Sequence, residues 1–529
     1  MCEAFVLISK EIPNAKERNS FLAYLLSSHK QEWVGNDISQ IVGDPGLLLK
    51  LLEIIPESNP QQQAALVAAK QKMVHIMMLF VHVTKRLVVS SGDSQIQLLL
   101  AEYLLEMVPN VMNLIRTLHL LYAPQTQQLI DEKNREHLFY VGIDEEERLL
   151  GNNCFNASAL SDTQLRVYHI HRAIRSIRTH AYSLMGFACQ LCDKGAQFWS
   201  NPQMFNLLGN SVFSHLDDMD NKDTKALLSF VSSFILYCPE GLYDSLLSNV
   251  LVPYSANLYK RLDAQWCQLL APERAARVMS DEQLRKETVY EKILIELTRE
   301  VITVFSDLMS GLRKAKDKPA GAPNATCKYL LRNDNVIGMW IMIAIRMVAL
   351  PDTICVNKST LFLQNLIPYL NNNKKLNVLL CGDLLQSSIK SLMMHKEEMH
   401  QQLINFIADI YVYYFNNDLE MLKNIMLNLP HADISKVNAL NKNVKKEMAP
   451  FIQVNGANVC NAKTSKKVRA HMKQFLNPIC GKYSGEFKST KSIVSISNGN
   501  NERMKSADKK AKESFLDDLS VSYLSTMFQ

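Results

Sequence analysis

Apolar residues recur at spacings of three and four along most of the chain, the period of a helix with one buried face. Ile96, Leu99, Leu100, Tyr103, Leu104, Met107, Val108, Val111, Leu114, Ile115 and Leu118 form one such stripe. Pro109 lies inside it, which predicts a kink or break there. Val167, Ile170, Ile174, Ile177, Ala181, Leu184, Ala188 and Leu191 repeat the pattern over 164–193. The same spacing predicts helices near 14–29, 62–90, 200–216, 223–237, 241–270, 281–311, 326–350, 358–394, 399–428 and 434–447. No run alternates with period two for long enough to demand a strand.

Several joints between these stretches are short and carry Pro, Gly, Asn or Asp: Gly43-Asp44-Pro45-Gly46, Asn201-Pro202, Cys238-Pro239-Glu240-Gly241 and Asn371-Asn372-Asn373. Helix, short turn, helix, repeated over hundreds of residues, predicts an all-α HEAT-repeat α-solenoid, a superhelix of antiparallel helix pairs. Units of about 40–47 residues give roughly ten repeats. The expected organisation is HEAT repeats over 1–130, 163–311 and 326–481, a polar loop at 131–162, a flexible basic loop at 312–325, and a mostly disordered tail at 482–529. A helical pattern starts at Ala4 with no cap before it. Solenoid ends need polar caps, so the chain is expected to be the C-terminal part of something longer.

Composition agrees with helices. Gly (18) and Pro (17) are each about 3% of 529 residues, against roughly 7% and 5% in typical proteins, too few for a turn-rich β fold. Net charge is +6, too mild by itself to imply a nucleic-acid partner. Its distribution says more: residues 436–529 carry 17 Lys and Arg against 7 Asp and Glu, a net of +10, so the first 435 residues sum to −4. Eleven cysteines stand singly apart from Cys189-Gln-Leu-Cys192, which predicts reduced thiols in cytosol or nucleus. No signal peptide is evident at Met1-Cys2-Glu3. The longest apolar stretches, Met73–Val83 and Val336–Leu350, fall short of the ~18–20 residues that span a bilayer. No membrane insertion is expected.

Catalytic motifs are missing: no Gly-rich phosphate loop, no G-x-S-x-G elbow, no H-E-x-x-H. His395 and His400 are five residues apart, about 140° around a helix, and read as a solvated polar face. Cys189 and Cys192 lack the second pair a structural zinc site usually needs, and read as core. His169 and His171 lack a third ligand nearby in sequence. Neither catalytic residues nor a metal or other cofactor is expected.

The segment 163–192 holds four Arg, three His and no Asp or Glu. On a helix, His171, Arg172, Arg175 and Arg178 fall within an arc of about 120°, away from the Ile170–Ile174–Ile177 stripe. Two readings are open. The arginine forks suit phosphate and could form a ridge for an RNA backbone. They could equally pair with carboxylates of a neighbouring repeat, the 131–162 segment among them. A second basic stretch spans 442–473, with Lys442, Lys445, Lys446, Lys463, Lys466, Lys467, Arg469 and Lys473 and only Glu447 as acid. Such a cluster reads as a nucleic-acid contact, a nuclear address or a solubilising cap. Few aromatics lie between the basic residues, so backbone contact to a duplex fits better than base stacking on a single strand.

Scattered motifs add a resemblance. They run in order from Glu3-Ala4-Phe5-Val6-Leu7-Ile8-Ser9, through Leu114-Ile115-Arg116-Thr117 and Leu121-Tyr122-Ala123-Pro124, to Cys238-Pro239-Glu240 with Tyr243. Leu258-Tyr259, Arg261-Leu262, Gln265-Trp266 and Leu297-Thr298-Arg299-Glu300-Val301 follow, and Cys480-Gly481-Lys482 and Gly485-Glu486-Phe487 close the series. With these the chain resembles the C-terminal half of the exportin-5 family, importin-β-superfamily export receptors for double-stranded RNA and precursor microRNA. The 312–325 loop departs from the family pattern, being short and basic where a longer acidic insertion stands.

The resemblance implies a mitt-like solenoid with a basic inner surface that carries duplex or hairpin RNA from nucleus to cytoplasm. It implies RanGTP as a partner, mainly through an N-terminal region absent here, nuclear pore proteins as further partners, and shuttling between the two compartments. It implies a carrier and not an enzyme. The alternative is a HEAT-repeat receptor or scaffold whose main cargo is protein. His171, Arg172, Arg175, Arg178, Lys463, Lys466, Lys467, Arg469 and Lys473 are the candidate RNA contacts, placed by charge geometry.

Overall fold

The computed structural model describes residues 8–482, apart from 10, 91–93, 152–154, 192–196, 272–273, 275–278, 310–323, 371–372, 417 and 453–461. Among these residues the regular elements are helices, with no strand. The fold is that of an all-α HEAT-repeat α-solenoid. Its longer helices are α1 (Ala15–Val34), α2 (Pro60–Ser90), α3 (Ser94–Leu120), α4 (Asp162–Leu191), α5 (Asn221–Tyr237), α6 (Ser248–Leu269), α7 (Asp281–Leu308), α8 (Asp334–Val348), α9 (Thr353–Leu370), α10 (Glu397–Tyr414), α11 (Ile434–Ile452) and α12 (Ala462–Leu476). The chain divides into two compact units, residues 1–269 with 289–343, and residues 270–288 with 344–529.

In the first unit, the Ile96–Leu118 stripe of α3 is buried at Ile96, Leu100, Leu104, Met107, Val111, Leu114 and Leu118. The helix packs on α1 and α4, and α4 packs in turn on α2, α3 and α5. Three neighbours on one helix cover more than a single stripe, a point that decides the fate of its arginines. The tryptophans bury their rings and satisfy their N–H groups, as large aromatic anchors must. Trp33 donates to the Met107 carbonyl at 3.1 Å, Trp266 to Thr298 Oγ1 at 3.0 Å and Trp340 to Ser255 Oγ at 3.1 Å. Trp340 also stacks on Phe305, with centroids 4.2 Å apart.

In the second unit α10 packs on α9 and α12, and α12 on α11. Val437, Leu440, Val444 and Met448 form the buried seam of α11, and Val468, Met472 and Leu476 that of α12. Spacings of three and four put each set on one side of its helix, which turns the lysines of 442–473 away from the seam.

The structure departs from several sequence expectations. Helix α3 runs through Pro109 without a break. Residues 131–162 are no open loop: they include helices Glu132–Phe139 and Ile143–Leu150 and a short 3-10 turn, Ala157–Ala159. The basic 312–325 segment lies outside the described residues up to 323, and Asn324 caps the next helix by accepting from Cys327 N at 2.8 Å. Beyond Lys482 the tail lies outside the described residues, as do the first seven residues with their uncapped pattern. His395 is buried, its Nε2 donating to the Leu350 carbonyl at 3.0 Å, and His400 Nε2 donates to the His395 carbonyl at 2.8 Å. These histidines hold backbone together; the solvated polar face expected for them is not what forms. Two helical stretches, Pro60–Leu87 and Gln95–Leu120, are long and apolar enough to cross a membrane by length and composition. Uninterrupted apolar runs miss them because polar residues such as Gln97, Glu102 and Glu106 punctuate the sequence. Their buried residues pack on α1 and α4 inside the first unit.

Candidate nucleic-acid interface

The four candidates on α4 have four different environments. Arg178 is buried, 7% exposed, and pairs with Asp223 of α5 at 3.6 Å. Arg175 is half-buried and pairs with Asp144 at 2.7 Å. His171 is also half-buried, packed beside Gly142, where a side chain would come within 3.0 Å of its Cβ. Arg172 alone of the three arginines is exposed. The ion-pair reading therefore describes Arg175 and Arg178, and a surface for phosphate retains only Arg172 from this ridge.

The partner of Arg175 comes from the acidic run of 144–147. The Ile143–Leu150 helix carries Asp144, Glu145 and Glu146 in its first turn, where the helix N-terminus favours negative charge. Val141 and Leu149 pack with Val289 beneath it. Arg148 reaches Glu296 of α7 at 2.8 Å, Lys225 of α5 reaches the same carboxylate at 3.0 Å, and Lys292 donates to the Leu149 carbonyl. Burial works to raise the Glu296 pKa, but Arg148 and Lys225 hold it below the usual carboxylate range. The acidic segment is thus fixed over α4 by its own contacts and neutralises part of the basic face.

Deeper in, Arg178 sits in a charged cluster at the start of α5. Asp220 is the N-cap of that helix: its carboxylate accepts from Asp223 N at 2.7 Å and lies 3.2 Å from Lys222 Nζ. Burial acts to raise its pKa, yet Lys222 and Arg178 hold it at about 2. Asp223 goes the other way, pushed up to about 7 by burial and by the Asp220 carboxylate. Burial disfavours the Arg178 charge, but Asp223 and Asp220 outweigh it and keep the guanidinium protonated.

Beside this cluster His119 of α3 is fully buried, its Nδ1 donating to the Ser214 carbonyl at 2.9 Å and its Nε2 accepting from the Tyr182 hydroxyl at 2.6 Å. Burial pushes its pKa down to about 4, from about 6.5 in the unfolded chain. A folded-state pKa below the unfolded value gives stability that is present above pH 6.5 and lost as the pH falls through 4. The 2.5-unit gap corresponds to about 3 kcal/mol. Asp223, with its raised pKa, contributes with the opposite sign, so the His119 share is read as a difference between two proteins. Urea titrations of the parent and H119Q are expected to converge by about 3 kcal/mol between pH 7 and pH 4; parallel pH profiles would show that His119 does not titrate as described.

In the second unit α11 and α12 place basic residues on outward faces. Lys442, Lys445 and Lys446 on α11 are exposed, as are Lys466, Lys467 and Lys473 on α12. Two of the expected contacts are engaged in the fold. Arg469 holds Asp409 of α10 through one guanidinium nitrogen at 2.9 and 3.1 Å, and Lys467 reaches Glu447 of α11 at 2.7 Å. Lys473 donates to Gln401 of α10 at 3.3 Å while staying exposed. Lys463 lies in the first turn of α12, and its side chain is outside the described residues. Lys466 and Lys473 are seven positions apart and share one face. Lys442, Lys445, Lys446, Lys466 and Lys473 are thus the exposed lysines of the two helices, while Lys467 ties α12 to α11 and Arg469 ties it to α10.

Between α11, α12 and the turn before α11 lies a cleft of about 360 Å³, lined by His431, Lys436, Leu440, His471 and Phe475 among others. No spacing in the sequence reveals it, because its walls come from segments brought together only by packing. Among the described residues no three of His, Cys, Asp and Glu gather as a metal-holding group. Cys189 is buried in the core, and Cys192 lies outside the described residues. His169 is exposed beside Tyr168, with ring centroids 5.4 Å apart.

Comparison with known proteins places these surfaces in a family context. A family model described as the Exportin-5 family matches residues 1–494. Protein HASTY 1 of Arabidopsis thaliana is 22% identical over 498 residues, covering 85% of this chain and 40% of that protein. Exportin-5 of Homo sapiens is 24% identical over 409 residues, covering 68% of this chain and 33% of that protein. Exportin-5 of Dictyostelium discoideum is 20% identical over 320 residues, covering 58% and 27%. The chain spans two fifths or less of the length of these relatives.

Proposed function

The chain belongs to the Exportin-5 family, and we propose that it is the RNA-holding part of a nuclear export receptor whose cargo is duplex or hairpin RNA such as precursor microRNA. The observation that carries the RNA reading is the α11–α12 surface. Five exposed lysines stand on two packed helices, and the local acid, Glu447, is already taken by Lys467. Lysines presented this way neutralise phosphates and release counterions, which gives affinity without sequence readout. A-form duplexes are held in this manner, by backbone and 2′-hydroxyl contacts across a shallow groove. Arg172 supplies a further exposed charge on the first unit.

RanGTP enters this proposal as a coupled ligand. It favours the cargo-binding arrangement of the whole receptor by the difference between its affinities for the two states. Contacts with nuclear pore proteins and shuttling between nucleus and cytoplasm complete the cycle. The receptor holds and releases cargo without chemical change.

The test is binding of an RNA hairpin with a 3′ overhang across a salt series, with the same stem as DNA beside it. RNA preference is expected, with log Kd rising linearly in log salt at about 0.7–0.9 per phosphate contact. R172E is expected to lower that slope by about one contact. A flat salt response, or equal weak binding of RNA and DNA, would replace RNA with a protein cargo.

A further inference from the structure

We propose that the cleft between α11 and α12 takes an unpaired nucleotide of the RNA cargo, base inward and phosphate outward. The proposal rests on the RNA reading above and adds a base-holding site to it. Few aromatics alternate with the basic residues in sequence, yet packing gathers aromatic rings here. His431 comes from the turn before α11, His471 and Phe475 from α12. The His431 and Phe475 rings lie 5.2 Å apart at 57°. His431 Nε2 donates to the Phe475 carbonyl at 2.7 Å, so this imidazole is part of the wall and steadies the end of α12.

The remaining lining suits a base. Phe475 and His471 are half-buried, Asn443 and Gln474 are exposed, and Ala439, Leu440 and Pro478 complete the apolar part. At about 360 Å³ the cleft is at the lower end of small-ligand cavities, which fits a planar ring and is small for a folded partner. A base stacks on aromatic side chains whatever its identity. The amides of Asn443 and Gln474 each bring donors and an acceptor to a base edge. A carboxylate would repel the phosphate. Among the described lining residues there is no Asp or Glu. The neighbouring acids Asp433 and Glu447 are paired with Lys436 at 3.4 Å and Lys467 at 2.7 Å.

Continuity with the exposed lysines favours a nucleotide over an apolar peptide side chain. Lys442 is adjacent to Asn443 in sequence, and Lys446 stands one turn further along α11; both lysines are exposed. Helix residues one turn apart are about 5–6 Å from Cβ to Cβ. A phosphate held at Lys446 therefore leaves its own base at the rim of the cleft. The stem does not supply that base. An A-form helix keeps its base edges in a deep, narrow major groove, and extracting a paired base costs unpairing and unstacking, least for a base already single-stranded. The occupant is thus a nucleotide left unpaired beside the stem, in a terminal loop, a bulge or an overhang.

The experiment measures binding of one RNA stem in four forms to the full chain: blunt, bulged, closed by a terminal loop, and with an overhang. At least one unpaired form is expected to bind about tenfold tighter than the blunt stem, and which form does so identifies the source of the base. F475L and N443A/Q474A are each expected to cut that preference about fivefold, the worth of one stacked ring or one hydrogen bond. Both should leave affinity and salt slope for the blunt stem at the parent values. Circular dichroism checks their helices, and the exposed pair Asn443 and Gln474 keeps the test open if F475L fails to fold. With 4-thiouridine at the unpaired position, crosslinks are expected on peptides containing residues 436–443 or 471–478. Equal binding of all four forms, a preference kept in both variants, or crosslinks elsewhere overturn the proposal, and salt-dependent binding of the blunt stem then leaves the cargo reading standing. A parent that binds none of the four overturns both.

Discussion

Replacing Arg178 by Met is expected to cost the first unit about 3 kcal/mol at pH 7, and more at pH 8.5. The guanidinium is 7% exposed and is the cation facing Asp223 at 3.6 Å, with Asp220 close by. Removing one partner of a buried ion pair leaves an uncompensated charge, which typically costs 3–5 kcal/mol. The low end applies because Asp223, already pushed up to about 7, can take a proton when its partner is gone. That escape sets the pH dependence. A carboxyl with a raised folded-state pKa contributes stability that is fully present below the unfolded value of about 3.8 and lost as the pH climbs through the folded value. In R178M the folded value moves higher still, so the deficit against the parent widens above pH 7. The double variant R178M/D223N removes both charges and should recover much of the loss.

The readout is built into the sequence. Trp33, Trp199, Trp266 and Trp340 are its four tryptophans, all buried and all in the first unit, so their fluorescence in urea reports on that unit alone. A destabilisation below about 1 kcal/mol, or a deficit that shrinks at high pH, would show that Arg178 is solvated and returned to the surface. Reversing Arg172, Arg175 and Arg178 together thus tests folding before it tests cargo. Arg172 is the member of that set whose reversal isolates binding.

The helix period made the all-α fold legible, because each long helix has an apolar stripe that some neighbour must cover. The fate of the arginine ridge depended on how much of α4 is covered. Measured from Ile170 at 100° per residue, Arg178 lies at about 80°, Arg175 at about 140° and Arg172 at about 200°. Exposure follows that order: buried, half-buried, exposed. A helix packed on one side would have left all three in solvent. Helix α4 packs on α2, α3 and α5, and the number of neighbours is a tertiary fact that no single stripe encodes.

The acidic run at 144–147 was legible as a charge partner and illegible as a helix. Its polarity hides the two apolar positions, Val141 and Leu149, that dock it onto Val289. Of the kink or break expected at Pro109, the break does not form. Its ring removes one backbone donor, yet α3 continues through it. His395 and His400 look polar in sequence and are spent on backbone carbonyls of the second unit. For the 144–147 run and for His395 a local preference was outweighed by contacts formed across long sequence separations.

The surface on α11 and α12 is the clearest place to separate structure from cargo, because its basic residues fall into two classes. Arg469 and Lys467 are paired with Asp409 and Glu447. Lys442, Lys445, Lys446, Lys466 and Lys473 are exposed, and surface changes of this kind usually shift stability by no more than about 0.5 kcal/mol each. Reversing these five to Glu is therefore expected to preserve helical content and the thermal transition. The same change is expected to weaken binding of an RNA duplex at least ~100-fold at 0.15 M salt and to lower the salt slope by about 3.5–4.5, at 0.7–0.9 for each lost phosphate contact. Slope and affinity must move together, since both count the same released counterions. A loss of affinity with an unchanged slope would mean that the variant had misfolded or that the five lysines act through shape alone. Unchanged affinity and slope would place the RNA elsewhere and leave the α11–α12 face as a solubilising end cap. The matched control is R469A, which should lower the thermal transition and, where the helix survives, leave the salt slope near the parent value.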